Sequence, residues 1–178
     1  MLKKRRTKGM TVKEFVKWIY PAAKSGEINP VFVVAQAALE TGWGKSCIGK
    51  YNLFGITKGS WTGKTLLVTT KEVFSSKTVK FNPPECVLAI TPISGGKFRY
   101  TVKRLFRDYD SLEQCLSDHF DILRKPHFSH AWPYRDNPAK FVEQLQSGKM
   151  KYATDPNYVS TMKKMFSMVE KTIKEEGL

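Results

Sequence analysis

The chain has 178 residues, enough for one domain with a sizeable core, and its 41% hydrophobic content excludes a disordered chain. Lysine and arginine outnumber aspartate and glutamate by 30 to 16, which gives a formal net charge of +14. Such an excess attracts polyanions, and both nucleic acid and the acidic polymers of a bacterial wall fit this description.

The cysteine and histidine content argues against metal and disulfide chemistry. Cys47, Cys86 and Cys115 lie far apart without a C-x-x-C pair, which disfavours a disulfide framework or a zinc site. His127 and His130 form an H-x-x-H pair, but no further ligand lies at helical spacing. We therefore expect no metal and no cofactor.

The N-terminus is basic but does not read as an export signal. Residues 1–8 contain five lysines and arginines, and no apolar run of about 7–15 residues follows them. No stretch approaches the roughly 18 apolar residues of a membrane span. We expect a basic tail over residues 1–10, a single domain over residues 11–178, no membrane span and a monomer.

The first half of the domain predicts two helices and a loop. Residues 11–24 form the first helix, with a capping box made by Thr11 and Glu14. The second helix starts at the Asn29-Pro30 pair and ends at Gly42. Residues 45–62 mix glycines with aromatic residues, which predicts a structured loop with exposed aromatic side chains.

The composition then changes toward β-forming residues. Residues 65–70 are rich in threonine, leucine and valine, and residues 98–103 alternate apolar and polar side chains. Turn-forming residues at 82–84 and 94–96 separate these stretches. We predict a small antiparallel β-lobe over about residues 64–106, inserted in a mainly helical α+β protein.

Three more helices are predicted after the β-lobe. The first runs from Asp110 or Ser111 to about residue 125, where Pro126 ends it. The second starts at the Asn137-Pro138 pair and ends at Gly148. The third starts at the Asp155-Pro156 pair and runs to about Glu175.

Glu40 is the strongest candidate for chemistry. The second helix is apolar on nearly all sides, and Val33 and Ala37 lie on the same face as Glu40. Partial removal of water and the negative C-terminal end of the helix both raise the pKa of its carboxyl group toward the range of a general acid. The alternative is a surface glutamate at a frayed helix end.

Residues 52–56, with Asn52 and Phe54, follow at a short distance. Apolar sugar faces stack on aromatic rings, and amides bond to hydroxyl and acetamido groups, so the segment predicts a sugar cleft beside Glu40. The alternative for Phe54 is an ordinary core position.

Four segments resemble the motifs of glycoside hydrolase family 73, the bacterial autolysin and flagellar endo-β-N-acetylglucosaminidases. They are residues 35–46 (AQAALETGWGKS), 52–56 (NLFGI), 106–123 (beginning FRDYDS) and 152–158 (YATDPNY). They occur in the family's order and cover roughly residues 11–175.

The resemblance implies a lysozyme-like helical lobe, a short β-lobe, and a cleft between them that hydrolyses the bond from N-acetylglucosamine to N-acetylmuramic acid. Glu40 matches the family's general acid, Glu72 the second carboxylate, and Tyr152 a tyrosine near the reacting sugar. The remaining expected substrate contacts are Trp43, Asn52, Phe54, Trp61 and Tyr158. Residues 82–96 look inserted relative to the family pattern, which makes Glu85 a competitor for the role of Glu72.

The second step of the reaction is open at this stage. Either Glu72 activates the attacking water, or the 2-acetamido group of the substrate attacks and Tyr152 orients it.

The expected partners are peptidoglycan glycan strands and acidic wall polymers, without a specific nucleic acid. The site of action is then the bacterial wall, the periplasm or the extracellular space. Without a readable signal peptide, we expect export through a partner, a phage-type lysis route or a secretion system.

Two alternatives remain. One is a muramidase or lytic transglycosylase of related fold. The other is a non-enzymatic basic module that binds wall or nucleic acid, although the scattered charge lacks a recognition-helix or RNP pattern.

Overall fold

The computed structural model describes residues 9–178, so residues 1–8 of the predicted basic tail (residues 1–10) lie outside the described residues. Within residues 9–178, five α-helices and three β-strands form two lobes. The helices are α1 (Val12–Ala23), α2 (Pro30–Thr41), α3 (Leu112–Leu123), α4 (Pro138–Ser147) and α5 (Tyr158–Glu176). The strands are β1 (Thr65–Phe74), β2 (Cys86–Ile93) and β3 (Lys97–Arg107). The prediction of a mainly helical α+β protein with a small antiparallel β-lobe is confirmed. Within residues 9–178 no helix is both long and apolar enough to cross a membrane.

Helix α2 is the centre of the helical lobe. It packs against both α1 and α5, and an unbroken run of its residues from Phe32 to Ala38 is buried. A helix that is apolar on nearly all sides is expected to be buried. The burial of this run confirms that expectation. Because α2 is held from several directions, its C-terminal end, with Glu40, is a rigid platform.

The helix starts follow the predicted caps with one exception. The Thr11 hydroxyl accepts from the Glu14 backbone N–H at 3.2 Å, and the Thr11 N–H donates to the Glu14 carboxylate at 2.8 Å, which completes the capping box. The Asn29 side chain accepts from Val31 N at 2.9 Å and caps α2 as predicted.

The exception is α5. It was predicted to start at the Asp155-Pro156 pair but starts at Tyr158, with Asn157 at the cap position. The Asp155 carboxylate instead accepts from the Asn157 backbone N–H at 2.8 Å. This bond two residues ahead forms a turn that precedes the helix, so the aspartate caps a turn and not α5.

The β-lobe is a three-stranded antiparallel sheet with the order β1-β3-β2. Strand β3 is central, and the predicted alternation of its side chains is confirmed because Tyr100 and Val102 are buried while Arg99 and Lys103 are exposed. Strand β2 was not predicted. It lies within the stretch that looked inserted, pairs with β3 as an edge strand, and carries a bulge between Val87 and Ala89.

Arg107, at the end of β3, joins the β-lobe to the helical lobe. Its Nη1 donates to both oxygens of Asp118 on α3, each at 2.7 Å, and its Nε donates to the carbonyl of Thr57 at 3.1 Å. The Arg107 backbone N–H donates to the carbonyl of Ile56 at 3.0 Å. A buried charge needs a partner of opposite sign, so this pair fixes the base of the sheet against the helices.

Candidate active site

Glu40 stands one residue before the C-terminal end of α2, where the chain makes a sharp turn. Gly42 caps the helix with a φ of 57° and donates its N–H to the carbonyl of Ala38. Trp43 and Gly44 follow with φ angles of 60° and 81°. Glycine adopts these left-handed angles without strain, whereas Trp43 stores strain of about 1–3 kcal/mol.

Thr41 and Phe15 hold this turn. The Thr41 hydroxyl donates to the carbonyl of Ala37 at 2.6 Å and accepts from the Gly44 N–H at 2.8 Å. The half-buried Trp43 ring meets the edge of Phe15 with centroids 5.7 Å apart. The strained turn is therefore tied down on both sides, and it holds the end of α2 in one geometry.

The environment of Glu40 suits a proton donor. Its side chain reaches solvent at the surface, yet the protein around it removes enough water to raise the pKa of its carboxyl group above the ordinary 4.5. Burial is the cause, because it disfavours the charged form. This is the direction predicted from the apolar face of α2.

Tyr152 and Tyr158 pack together and are influenced by the charge of Glu40. Their rings are 5.8 Å apart between centroids. Burial raises the pKa of both phenols, and the negative charge of Glu40 adds to the rise in each case. Both phenols therefore lie within electrostatic range of the Glu40 carboxylate.

A buried hydrogen-bond chain orients the Tyr158 hydroxyl. Gln36 lies one helical turn before Glu40, and its Nε2 donates to the Tyr158 oxygen at 2.9 Å. The oxygen of the Gln36 amide lies 2.6 Å from Nε2 of the fully buried His119. Burial lowers the pKa of His119 to about 3, so the ring is neutral at physiological pH, and its Nε2 carries the proton that the Gln36 oxygen accepts.

This chain, His119–Gln36–Tyr158, has a consequence for the proton on Tyr158. Since the Tyr158 oxygen accepts from Gln36, its own O–H is available to donate elsewhere. Among residues 9–178 the Tyr158 hydroxyl donates to no protein acceptor. The expected contact of Tyr158 with substrate remains a prediction.

Sequence reasoning missed Gln36 and His119 as functional candidates. The available signal was a glutamine in an otherwise apolar helix, four residues before Glu40 and hence on its face. His119 is 83 residues away from Gln36 in the chain, and nothing local to it indicates the pairing.

Asn52 and Phe54 organise the loop that follows α2. The Asn52 amide nitrogen donates to the carbonyls of Ile56 and Arg107, each at 2.9 Å, and its oxygen accepts from the Ile56 N–H. Phe54 is buried and stacks on His119 with centroids 3.7 Å apart. The expectation of an exposed ring was wrong for Phe54, because the neutral His119 ring offers it a flat buried partner. As substrate contacts, both residues remain predictions.

Trp61 is half-buried at the base of the β-lobe. Its Nε1 donates to the carbonyl of Lys64 at 2.9 Å. Its ring meets the edge of Tyr109 and lies under the Arg107 guanidinium, 5.4 Å from the ring centroid. Trp61 thus packs on the residue that joins the two lobes, and its predicted contact with sugar remains a prediction.

Both candidates for the second carboxylate bind the same arginine. Arg104 on β3 donates from Nη1 to the two Glu72 oxygens at 2.9 and 2.8 Å, and from Nε to Glu85 at 3.0 Å. Glu85 also accepts from the Leu105 backbone N–H at 2.9 Å, and Phe81 covers the guanidinium at 5.0 Å. The Glu72 side chain is 25% exposed and the Glu85 side chain 17%, so Glu72 is the freer of the two.

The structure thus forms two groups of candidate residues. Glu40, Tyr152 and Tyr158 belong to the helical lobe, and Glu72 with Glu85 belongs to the β-lobe. Within the described part of the chain, no hydrogen bond or ion pair joins Glu40 to Glu72. No set of three or more histidine, cysteine or acidic side chains among residues 9–178 is placed to hold a metal ion.

Known proteins resemble this chain along most of its length. It is 35% identical over 157 residues to the peptidoglycan hydrolase FlgJ of Pseudomonas aeruginosa, covering 82% of this chain and 34% of that protein. It is 30% identical over 161 residues to a probable N-acetylmuramidase of Lactococcus lactis, covering 85% of this chain and 31% of that protein. The chain therefore spans about a third of the length of these curated relatives.

Solved structures show the same fold. A peptidoglycan hydrolase mutant from Sphingomonas sp. A1 superposes with a TM-score of 0.66 at 32% identity, covering 92% of this chain and 99% of that one. A glycoside hydrolase domain of Salmonella typhimurium FlgJ gives a TM-score of 0.64 at 26% identity, covering 89% of this chain and 97% of that one. The sequence profile of the mannosyl-glycoprotein endo-β-N-acetylglucosaminidases matches residues 16–171. With an acid-bearing helix end, the same two-lobed fold and this match, the chain belongs to that family of glycoside hydrolases, family 73.

Proposed function

We propose that this protein hydrolyses peptidoglycan by cleaving the β-1,4 bond between N-acetylglucosamine and N-acetylmuramic acid. The observation that carries the proposal is the raised pKa of Glu40 at a rigid helix end beside two tyrosines. Relatives named peptidoglycan hydrolase and autolysin support the choice of substrate. In this proposal residues 11–178 are the catalytic domain, residues 1–10 are a basic tail, and the protein acts on the wall as a monomer.

Glu40 is the proposed general acid. Its carboxyl proton goes to the glycosidic oxygen as the bond from that oxygen to the anomeric carbon breaks, and positive charge develops on the sugar ring. A raised pKa keeps a fraction of the carboxyl groups protonated at a pH where an ordinary glutamate has lost its proton. Glu40 regains its proton from solvent when another carboxylate deprotonates the attacking water, and from that water itself when Glu40 acts as the base of the second step.

The second step has two schemes. In the first, Glu72 removes a proton from water while the water oxygen bonds to the anomeric carbon. The freer exposure of Glu72 and the additional backbone bond of Glu85 favour Glu72 in this role. Arg104 then acts as a positioning residue that holds the Glu72 carboxylate at one place.

In the second scheme the 2-acetamido oxygen of the substrate bonds to the anomeric carbon, and water later opens the ring so formed. Tyr152 orients the acetamido group. Its place between Tyr158 and Phe128, with ring centroids 5.8 and 5.9 Å away, fixes its ring for this task. The remaining proposed sugar contacts are Trp43, Asn52, Phe54, Trp61 and Tyr158. Asn52 and Phe54 contribute through the loop that they organise.

A muramidase is the second candidate, because the Lactococcus lactis relatives carry the name probable N-acetylmuramidase. The two activities differ in the sugar left at the new reducing end. Purified peptidoglycan is digested with the full chain, the products are reduced with borohydride, and the reduced sugar is identified by mass spectrometry. Reduced N-acetylglucosamine supports the proposal. Reduced N-acetylmuramic acid contradicts it in favour of the muramidase, and anhydromuramic ends favour a lytic transglycosylase.

A further inference from the structure

One face of the β-sheet carries a row of unpaired positive charge. Residues paired across an antiparallel sheet point to the same side. On β3, Lys97, Arg99 and Lys103 share a face and are exposed. Lys71 on β1 is paired with Thr101, so it lies on this face at the one level where β3 offers a threonine in place of a cation. We call this surface the basic sheet face.

The four cations form a line and not a cluster. Alternate residues of a strand are about 6.8 Å apart, so Lys97, Arg99, the Lys71–Thr101 level and Lys103 give one positive charge every ~7 Å over roughly 20 Å. Such a row matches a linear polyanion better than a single small anion.

No carboxylate neutralises this row. The β-lobe between residues 65 and 107 contains two acidic residues, Glu72 and Glu85, and both bind Arg104. Glu72 is paired with Tyr100 and Arg104 with Val68, positions that alternate with the basic ones and so point to the opposite face. Within residues 9–178 none of the four cations of the basic sheet face forms an ion pair.

Hydroxyl groups lie among the cations. Thr69, Thr91 and Thr101 are on the same face, since they are paired with Lys103, Arg99 and Lys71. A depression of about 360 Å³ opens at the middle of the row, lined by Thr69, Thr70, Lys71 and Thr101. Ammonium groups beside hydroxyl donors are suited to phosphate oxygens.

The aromatic residues of the sheet point the other way. Phe74, Phe98, Tyr100 and Phe106 occupy positions that alternate with those of the basic sheet face. Proteins that bind single-stranded nucleic acid combine a basic groove with aromatic rings on which bases stack. Of the positions that the three strands give to this face, none holds an aromatic ring. The face therefore favours a polymer of phosphates without bases.

We propose that the basic sheet face binds a phosphodiester polymer of the bacterial wall, of the polyol-phosphate type found in teichoic acids. This site is distinct from Glu40 and its tyrosines. The proposal rests on the proposed function in one respect, because a peptidoglycan hydrolase meets this polymer in the wall where it acts. Bound there, the polymer keeps the enzyme at the wall between cleavage events.

The test measures binding of the full chain to purified poly(glycerol phosphate) by titration at low and at physiological salt. The triple variant Lys71→Gln, Arg99→Gln, Lys103→Gln removes most of the row. Its matched control, Lys125→Gln, Lys140→Gln, Lys164→Gln, removes the same charge from exposed positions of the helical lobe. Unchanged thermal unfolding confirms that both variants are folded.

The sheet variant should bind the polymer about 10-fold more weakly, a sum of three exposed charge contacts, and the control should stay within a few-fold of the wild type. Equal losses in both variants would attribute binding to net charge alone and overturn the proposal. Single-stranded DNA bound as tightly as the polymer at equal charge would also overturn it, as would absence of polymer binding. Failure of the proposed function is visible separately, as a protein that binds the polymer but does not cleave peptidoglycan.

Discussion

The Tyr158 hydroxyl provides a quantitative test of the chain His119–Gln36–Tyr158. Tyr158→Phe keeps the ring, so it leaves the packing of α5 in place and removes one oxygen. That oxygen accepts from Gln36 Nε2 at 2.9 Å, and Gln36 is fully buried. The variant therefore leaves an amide donor without a partner in the interior.

The cost follows from burial. An unpaired buried donor destabilises a protein by about 1–3 kcal/mol. For a domain of this size each kcal/mol lowers the melting temperature by about 2–4 °C, so we expect a fall of about 2–12 °C. Urea unfolding should give the same loss as a lower midpoint at an unchanged slope.

Tyr134→Phe is the matched control, because Tyr134 is 41% exposed and its loss should stay within about 0.5 kcal/mol. A double-mutant cycle with Gln36→Leu isolates the pair and should give a coupling of about 0.5–3 kcal/mol. If Tyr158→Phe is as stable as Tyr134→Phe and the cycle gives no coupling, the hydrogen-bond chain described here is not formed.

Further predictions concern the acids and the tail. If Glu72 activates water, Glu72→Gln should lower turnover by about 10²–10⁴-fold with little change in substrate affinity, while Glu85→Gln should be nearly silent; if the acetamido group attacks, Tyr152→Phe should do more damage than Glu72→Gln. A strong defect at Glu85 alone would refute this assignment. Because burial raises the pKa of Glu40 above 4.5, kcat/KM should fall as the pH rises through this raised pKa. A fall in kcat/KM at the pKa of an ordinary glutamate would contradict the assignment. The same shift stabilises the folded protein at pH values below the pKa that Glu40 has in the unfolded chain, and this stabilisation is lost as the pH rises through the pKa that Glu40 has in the folded protein. In unfolding experiments at a series of pH values, Glu40→Gln should abolish this loss. Deleting residues 1–8 should weaken sedimentation with walls in a salt-dependent manner but spare turnover of soluble fragments; unchanged sedimentation would deny the tail a role.

The helices were largely predictable because their signals are local. A capping residue followed by proline correctly marked α2 and α4, and the apolar periphery of α2 correctly indicated its burial. The Asp155-Pro156 pair carried the same signal, yet α5 starts later. A capping side chain serves a turn as well as a helix, and sequence alone does not distinguish the two.

Strand β2 was missed for a different reason. All residues of β2 except the last are exposed, so its sequence lacks the alternation of apolar and polar side chains that marks a half-buried strand. It also contains Pro92, which is tolerated because β2 is an edge strand. Its pairing with β3 is what makes it a strand.

The position of Glu40 was predictable from α2, and its surroundings were not. His119 is hydrogen-bonded to Gln36 although 83 residues separate them in the sequence. Arg104 binds both Glu72 and Glu85, which precede it by 32 and 19 residues. Such pairings depend on how the lobes fold. No periodic pattern and no fixed spacing in the sequence indicates them.

The most direct test of the central proposal is the turnover of purified peptidoglycan by Glu40→Gln. The amide keeps the shape of the side chain but has no carboxyl proton to donate, so we expect a loss of at least about 10²-fold with unfolding behaviour that remains cooperative. Glu170→Gln, at an exposed position on α5, is the matched control and should keep wild-type turnover. Activity of Glu40→Gln within a few-fold of the wild type would show that Glu40 is not the acid.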